Sequence, residues 1–146
     1  MKRGYTFIEV VIVLAIIAIL ILPTFNISKS YKEIVMRVKG KSIANEISNL
    51  ISYSKYYCRY YGSYGLIEIN SNDGKITFKD ISSRSKIIKT ILLEEEFKFV
   101  SNNSFEISKI GNIQKSDTIR VIDKNGRVYR ITIATGIGTV NIYEGE

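Results

Sequence analysis

The sequence contains no histidine and no tryptophan, and its 146 residues include one cysteine and one proline. Without histidine the chain lacks the commonest general base and a common metal ligand, so Ser-His-Asp and Cys-His catalytic sites are excluded. The lone Cys58 excludes an internal disulfide. No cluster of oxygen ligands suggests a calcium site. The sequence therefore predicts a protein that is not an enzyme and that uses no cofactor or metal.

Positive charge exceeds negative charge, with 21 Lys and Arg against 14 Asp and Glu and a formal net charge of +7. Such a balance is compatible with anionic partners such as nucleic acid or lipid head groups. Simple solubility is the plainer explanation of the same balance. Charge alone therefore leaves both interpretations open.

One apolar run dominates the N-terminal end of the chain, with no polar residue between Val10 and Leu22. Together with residues 5–9 it gives a segment of about 18 residues, which as a helix is about 27 Å long and nearly matches a bilayer core. We therefore expect a transmembrane helix over residues 5–26, the length of which suits a bilayer. Glu9 lies inside this segment and needs an explanation.

Three kinds of leader have a segment of this type. A secretory signal would end in a small-x-small cleavage site, which is missing after Leu22. A lipoprotein signal needs a cysteine directly after the run, and Cys58 is too distant. The third kind is cut before the apolar run, so that the helix stays with the product. Basic residues followed by Gly4 and Tyr5 fit this arrangement.

The stretch "KRGYTFIEVVIVLAIIAIL" resembles the processing and assembly segment of type IV pilins and type II secretion pseudopilins. The resemblance implies that a prepilin peptidase cleaves between Gly4 and Tyr5 and methylates Tyr5, so that residues 1–4 are a prepilin leader. It also implies that Glu9 serves filament assembly by pairing with the N-terminal amine of a neighbouring subunit. In lipid, an unpaired carboxylate would cost up to roughly 3 kcal/mol. A negative charge in the first helical turn also suits the helix dipole, and both roles are compatible.

The same resemblance implies a location and a set of partners. Lys2 and Arg3 would hold the N-terminus in the cytoplasm. The chain would be a single-pass protein of the cell membrane with an extracytoplasmic C-terminal domain, and later part of a surface or periplasmic filament. Its partners would be prepilin peptidase, other pilin or pseudopilin subunits, the inner-membrane assembly platform and membrane lipid. An uncleaved membrane anchor that carries an independent β-domain is an alternative.

Beyond Pro23 the apolar residues recur every three or four positions, which predicts an amphipathic helix over residues 27–62. The pattern comprises Ile27, Tyr31, Ile34 and Val38, then Ile43, Ile47, Leu50, Ser54, Tyr57 and Tyr61. Pro23 removes a backbone donor and crowds the carbonyl of Ile19, so we expect a helix kink there. Gly40 is a second place where the helix is expected to loosen.

Residues 63–146 form the expected β-rich domain, because the apolar period becomes two. Candidate strands are 64–70, 75–79, 87–93, 96–100, 104–108, 118–123, 127–134 and 139–143. The stretches "SNDGK" and "DKNGR" are hairpin turn signals. A long helix followed only by hairpins predicts an α+β fold, in which the helix packs against an antiparallel β-sheet.

The stretches "YYCRYYGSYGLIEI" and "TIRVIDKNGRVYRITIATGIGTVNI" resemble minor pseudopilins of the general secretion H type and related minor pilins of pilus and competence systems. The resemblance implies a minor structural subunit of a type IV pilus, a type II secretion pseudopilus or a competence pseudopilus. Tyrosines around Lys55 and Arg59 suggest an alternative, a filament-displayed module that binds DNA or a surface. Against it stands the expectation that Tyr57, Tyr61 and Tyr64 pack onto the sheet.

Overall fold

The computed structural model describes residues 6–82, 85–134 and 140–145. One long helix, α1 (Phe7–Tyr61), precedes all of the β-structure. The strands are β1 (Gly65–Asn70), β2 (Lys75–Asp80), β3 (Lys86–Leu92), β4 (Phe97–Phe99), β5 (Asn103–Ile107), β6 (Asp117–Asp123), β7 (Val128–Ile133) and β8 (Val140–Gly145). The α+β class and all eight predicted strands are confirmed, with boundaries shifted by one or two residues.

The chain divides into two units, Met1–Val38 and Lys39–Glu146. Helix α1 contributes residues to both, and its backbone stays helical through Pro23 and Gly40. The kink expected at Pro23 stays a prediction. Within the described residues we found no helix with a stretch long and apolar enough to be a candidate membrane span. The transmembrane part of the predicted segment 5–26 is thus not confirmed.

The strands of the second unit form two four-stranded antiparallel sheets, where the sequence predicted one. The first has the order β3-β2-β1-β5 and the second the order β4-β6-β7-β8. The difference arises at β4, which pairs with β6 through Phe97↔Asp123 and Phe99↔Val121. Strand β5 returns to the first sheet and pairs with β1. Neighbouring strands in the sequence therefore belong to different sheets.

Both predicted hairpin turns are confirmed. Gly74 follows Asp73 between β1 and β2 with φ of +60°, and Gly126 follows Asn125 between β6 and β7 with φ of +85°. Glycine adopts this left-handed conformation without steric cost. Asp123 fixes the second turn, because its Oδ1 accepts hydrogen bonds from the backbone N–H groups of Asn125 and Arg127, both at 2.9 Å. These turns set the registers of two hairpins.

The core of the second unit joins the last six turns of α1 to both sheets. The predicted helical stripe is buried from Ile43 to Ser54, and the sheets contribute alternate residues. The sheet residues with the least exposure are Ile67, Ile76, Phe78, Ile107, Val121, Tyr129, Ile131 and Ile133. Alternation along β7 therefore has the predicted buried face, and exposed Arg130 points the other way.

Gly40 has a packing role rather than a loosening one. A Cβ atom added to it would lie 2.1 Å from Cζ of Tyr129, so the ring rests directly on the helix backbone. Gly65 does the same at the other sheet, where an added Cβ would lie 2.6 Å from Sγ of Cys58 and 2.7 Å from the ring of Phe78. Absence of a side chain thus lets each sheet approach the helix.

Candidate assembly site at the start of the helix

The first turn of α1 is closed by a reciprocal pair, Thr6 and Glu9. The carbonyl oxygen of Thr6 accepts hydrogen bonds from the N–H groups of Glu9 at 3.0 Å and Val10 at 3.3 Å. In return, Oε2 of Glu9 accepts a hydrogen bond from the N–H of Thr6 at 3.3 Å. This is the carboxylate half of a capping box, which satisfies a backbone donor left without a helical partner. The arrangement confirms that Glu9 lies in the first turn, where its charge also suits the dipole.

Sequence reasoning identified Glu9 but missed Thr6. The signal was present, because a Thr-x-x-Glu pattern directly before an apolar run is a signature of a helix start. Both side chains are exposed. The carboxylate therefore caps its own helix and is open to a cation from another molecule.

An apolar surface follows the cap. In the described part of the first unit, large apolar side chains are exposed all around the helix, from Phe7 at 86% to Ile19 at 68%. Further along the helix, Tyr31, Ile34 and Val38 are also exposed, at 61–66%. Contiguous apolar surface of this extent marks an interaction site for protein or lipid. The first unit thus presents an acidic group at the head of an uncovered apolar rod.

The other predicted site residues are Gly4, Tyr5 and Pro23. Gly4 and Tyr5, the predicted cleavage and methylation positions, lie outside the described residues. Pro23 lies inside α1, and only its helical backbone is described. Among the described residues no group of three His, Cys, Asp or Glu side chains could hold a metal ion.

The tyrosines at the end of α1 form a second region of interest. Tyr57 is half-buried, meets Phe78 edge-on at 5.5 Å between ring centroids, and donates a hydrogen bond to Oδ2 of Asp80 at 3.3 Å. Burial raises the pKa of its hydroxyl, and Asp80 adds to the effect. The packing expected of Tyr61 and Tyr64 is wrong, because they are 64% and 47% exposed.

Cys58 lies on the buried side of the same helical segment. Burial is the main reason that the pKa of its thiol rises to about 11. A thiol with such a pKa is not a nucleophile at neutral pH, because the thiolate is the reactive form. Cys58 is therefore a packing residue, as the sequence predicted.

The sequence also failed to reveal an ion-pair cluster. Nζ of Lys39 lies 2.6 Å from Oε2 of Glu94 and 3.3 Å from Oε2 of Glu96, and Nζ of Lys124 lies 2.6 Å from Oε1 of Glu96. These two cations lower the pKa of the Glu96 carboxyl, Lys124 more than Lys39. The cluster fastens the turn before β4 to the helix and to the β6–β7 turn.

Comparison with known proteins adds two findings. Residues 1–25 match the family model described as the prokaryotic N-terminal methylation motif. The fold is similar to the structure of the minor pseudopilin EpsH from the Type 2 Secretion System of Vibrio cholerae, with a TM-score of 0.55. The alignment has 14% sequence identity and covers 76% of this chain and 98% of EpsH. No protein with a curated description matches the chain.

The two findings agree with each other. The motif covers residues 1–25, which include the start of α1 with Glu9 and part of the apolar surface. The structural similarity reaches well into the helix and sheets of the second unit, since it covers three quarters of the chain. The chain therefore has an N-terminus that matches a methylation motif and a fold similar to that of a minor pseudopilin.

Proposed function

We propose that this chain is a minor pilin-like structural subunit of a type IV pilus, a type II secretion pseudopilus or a competence pseudopilus. Prepilin peptidase removes residues 1–4 by cleavage between Gly4 and Tyr5, and Tyr5 becomes the methylated N-terminus. Residues 5–26 hold the protein in the membrane until assembly, with the N-terminus in the cytoplasm and residues 63–146 outside. The polymer is then a surface or periplasmic filament.

The observation that carries this proposal is the uncovered apolar surface of the first unit. Val10–Leu14, Ile16 and Ile17 are each 45–60% exposed. Removing such side chains from water is worth about 25 cal/mol per Å² of apolar surface. Lipid and the apolar helices of neighbouring subunits are the two environments that can cover them all around. The proposed cycle uses both, first the membrane and then a bundle of subunit helices.

Glu9 gives the assembly its register. In the single chain its carboxylate accepts a neutral backbone N–H at 3.3 Å, a long hydrogen bond. The amine of a cleaved neighbour is charged, and charge-assisted hydrogen bonds are roughly twice as strong as neutral ones. An approaching amine can therefore compete for the carboxylate and fix the axial offset between two helices. Pro23 supplies a bend or melting point in the same helix.

The capping box allows the charge of Glu9 and its capping role to be tested separately. Glutamine can replace glutamate in such a box, because its amide oxygen also accepts the backbone N–H. Glu9→Gln therefore keeps the cap and removes the charge, whereas Glu9→Ala removes both. We expect both variants to be cleaved normally and to fail to co-purify with sibling subunits in sheared filaments. The measurement is the amount of each variant in filaments relative to its amount in membranes.

Thr6→Ala is the matched control. The change removes a side chain and leaves the Thr6 backbone N–H and the Glu9 carboxylate in place, so we expect near-normal incorporation. Mass spectrometry must show that every variant begins at methylated Tyr5. Normal incorporation of Glu9→Gln would show that Glu9 serves only as a helix cap. An intact Met1 on the native protein would instead favour an uncleaved anchor and contradict the proposal.

The exposed tyrosines favour a second candidate function, display of a ligand-binding surface on the filament. Tyr56, Tyr60, Tyr61 and Tyr64 are all 47–68% exposed. No comparison separates this role from a purely structural one. Steep salt dependence of DNA binding by the full-length chain would support this role, and no retention of the chain on DNA at low salt would dismiss it.

A further inference from the structure

The two sheets of the second unit have four edge strands, and two of these are protected. An edge strand exposes unpaired backbone N–H and C=O groups, and proteins protect such edges by keeping them short or by covering them. Strand β4 has only three residues, and β5 is covered at its end by a bridge between Ile107 and Ile113. Strands β3 and β8 have seven and six residues, and no described strand pairs with the outer side of either. They are the long open edges of the described sheets.

Strand β3 carries exposed apolar and cationic side chains. Ile87 and Leu92 are 59% and 71% exposed, and Lys86 and Lys89 are also exposed. Nζ of Lys89 lies 5.8 Å from the centroid of the Tyr53 ring. Neither lysine forms an ion pair with another described residue. A long edge strand with exposed apolar side chains is a template for pairing with a further strand.

A β-bulge brings the two lysines of β3 to the same face. Lys89 is paired with Phe78 and Lys86 with Asp80, and Ile88 is the extra residue between these pairs. Phe78 and Asp80 alternate along β2 and are both buried, so they face the core. Directly opposite residues of an antiparallel pair share a face, and the two residues of a bulge oppose one residue of the partner. A strand added to β3 would therefore meet the two cations with its residues i and i+2.

Strand β8 has the complementary sequence. In its register with β7, Ile142 and Glu144 lie opposite residues that face the core. Glu146 follows Glu144 at i+2 in the sequence, with Gly145 between them. Acidic residues of β8 thus have the spacing that the lysines of β3 require.

We infer that β8 of one copy of this chain adds to β3 of a second copy as an antiparallel strand. The register that pairs the charges sets Lys89 opposite Glu144 and Lys86 opposite Glu146. Gly145 then lies opposite the bulge, and glycine suits a strand at a bulge or a close approach of backbones. Cross-strand pairs of opposite charge stabilise a sheet.

The same register matches the apolar residues. Ile91, which is 5% exposed, lies opposite Ile142, which is 37% exposed and gains cover. On the other face Thr90 lies opposite Tyr143, and pairs of aromatic and β-branched residues also stabilise sheets. A shift by one residue would move every one of these side chains to the wrong face. A single register therefore satisfies the charges, the bulge and the apolar pattern.

The contact is head-to-tail, because the two strands that meet are different. Such a heterologous contact continues from copy to copy unless it closes into a ring. Pairing of β3 with a second β3 would bring lysines together, and like charges opposite each other destabilise a sheet. The inference goes beyond the proposed function, because it uses only residues of the unit Lys39–Glu146 and needs neither cleavage nor a membrane. Failure to enter filaments would not affect it.

Disulfide cross-linking of the full-length chain tests the register. The chain is kept in a neutral detergent at a molar excess that separates the apolar helices of different copies. Lys89→Cys and Glu144→Cys are mixed in equal amounts and oxidised, because opposite residues have Cα atoms about 4.5–5.5 Å apart, which suits a disulfide. We expect a mixed dimer, and we expect each variant alone to remain monomeric. Native Cys58 is buried and does not compete.

Thr90→Cys mixed with Glu144→Cys is the matched control. In the proposed register these two side chains point to opposite faces, so we expect a cross-linked fraction about tenfold smaller. A chain that carries both Lys89→Cys and Glu144→Cys should instead give a ladder of dimers, trimers and larger species, because each copy keeps one edge open at either end.

Charge reversal tests the complementarity without a cross-link. Sedimentation velocity in the same detergent measures self-association of the unmodified chain and its variants. We expect Lys89→Glu and Glu144→Lys each to weaken association about fivefold, because an attractive pair becomes a repulsive one. An equimolar mixture of the two variants should restore it. Lys98→Glu, which reverses an exposed lysine on β4, should change association less than about twofold. Unchanged thermal unfolding of each variant shows that the fold is intact.

Several results would overturn the inference. Absence of the mixed dimer would do so, as would equal cross-linking of the Thr90→Cys control. Dimers formed by Lys89→Cys alone would mean that β3 pairs with β3. Equal losses from Lys89→Glu and Lys98→Glu would mean that association follows net charge. A loss with Lys89→Glu that Glu144→Lys neither reproduces nor reverses would mean that β3 takes a strand from elsewhere.

Discussion

Helix α1 contains isoleucines in two opposite situations. Ile12, Ile16 and Ile17 are 54%, 52% and 45% exposed, whereas Ile47 and Ile51 are fully buried. The residue type and the helical backbone are the same in both places. The difference is that two sheets cover the later residues within the second unit, so burial there is complete in a single chain. The earlier residues depend on other molecules for cover.

Folding and the proposed assembly therefore draw on different parts of one helix. Burial of an isoleucine side chain contributes about 1.5–3 kcal/mol. In the second unit this free energy stabilises the monomer. In the first unit it becomes available when the helix meets lipid or other helices. Substitutions in the two parts should consequently affect different measurements.

The largest expected effect comes from comparing Ile47→Ala with Ile17→Ala. We expect Ile47→Ala to lower the free energy of unfolding by about 2–5 kcal/mol, because it leaves a cavity in a closed core. Ile17→Ala should change that quantity by less than about 0.5 kcal/mol, as exposed substitutions usually do. Guanidinium unfolding of the full-length chain in detergent, followed by near-UV circular dichroism of its ten tyrosines, measures both. Equal losses would remove the distinction between the two parts.

A smaller effect is expected where the covered part begins. Gly40→Ala gains about 1 kcal/mol of helix propensity but drives a methyl group into the Tyr129 ring, an overpacking that costs about 1–3 kcal/mol. With the ring atom 2.1 Å from the new Cβ and Tyr129 almost fully buried, we expect the clash to prevail. Ser42→Ala is the control, since Ser42 is exposed on the same helix. A higher melting temperature for Gly40→Ala than for the wild type would show that the ring can move aside.

The smallest effect concerns the ion pairs of Lys39, Glu96 and Lys124. Glu96→Gln should lower the melting temperature slightly at neutral pH, and Glu95→Gln, at an exposed neighbour, should not. The pKa of Glu96 is lowered in the folded state from 4.5, so its contribution is present above pH 4.5 and is lost as the pH falls through the folded value. The two variants should therefore melt alike in strong acid. A difference that persists there, or in high salt, would contradict the assignment.

Much of the fold follows from local sequence signals. Alternation located all eight strands, and the glycines of "SNDGK" and "DKNGR" located two hairpin turns. The division into two sheets was not predictable in this way, because the pairing of β4 with β6 is a contact distant in sequence. Gly40 was misjudged for a similar reason. Its role depends on Tyr129, which lies in the penultimate strand.

The candidate sites show the same limit. Glu9 was identifiable because its neighbours in the chain define the motif, and Thr6 could have been found from the same few letters. The tyrosines could not be assigned by helical period alone. Tyr57 meets Phe78, whereas Tyr61, one turn further on, is largely exposed at the last residue of the helix. The exposed fraction of each tyrosine depends on where the sheet ends, and the helical period does not reveal that position.

The alternation of β4 and β5 between the sheets has a mechanical consequence. Three residues, Val100–Asn102, connect β4 of the second sheet to β5 of the first. The chain therefore passes from one sheet to the other more than once. A force that separates the two sheets would therefore also pull on the connected strand of the other sheet. We therefore expect the second unit to lose its structure in one concerted event.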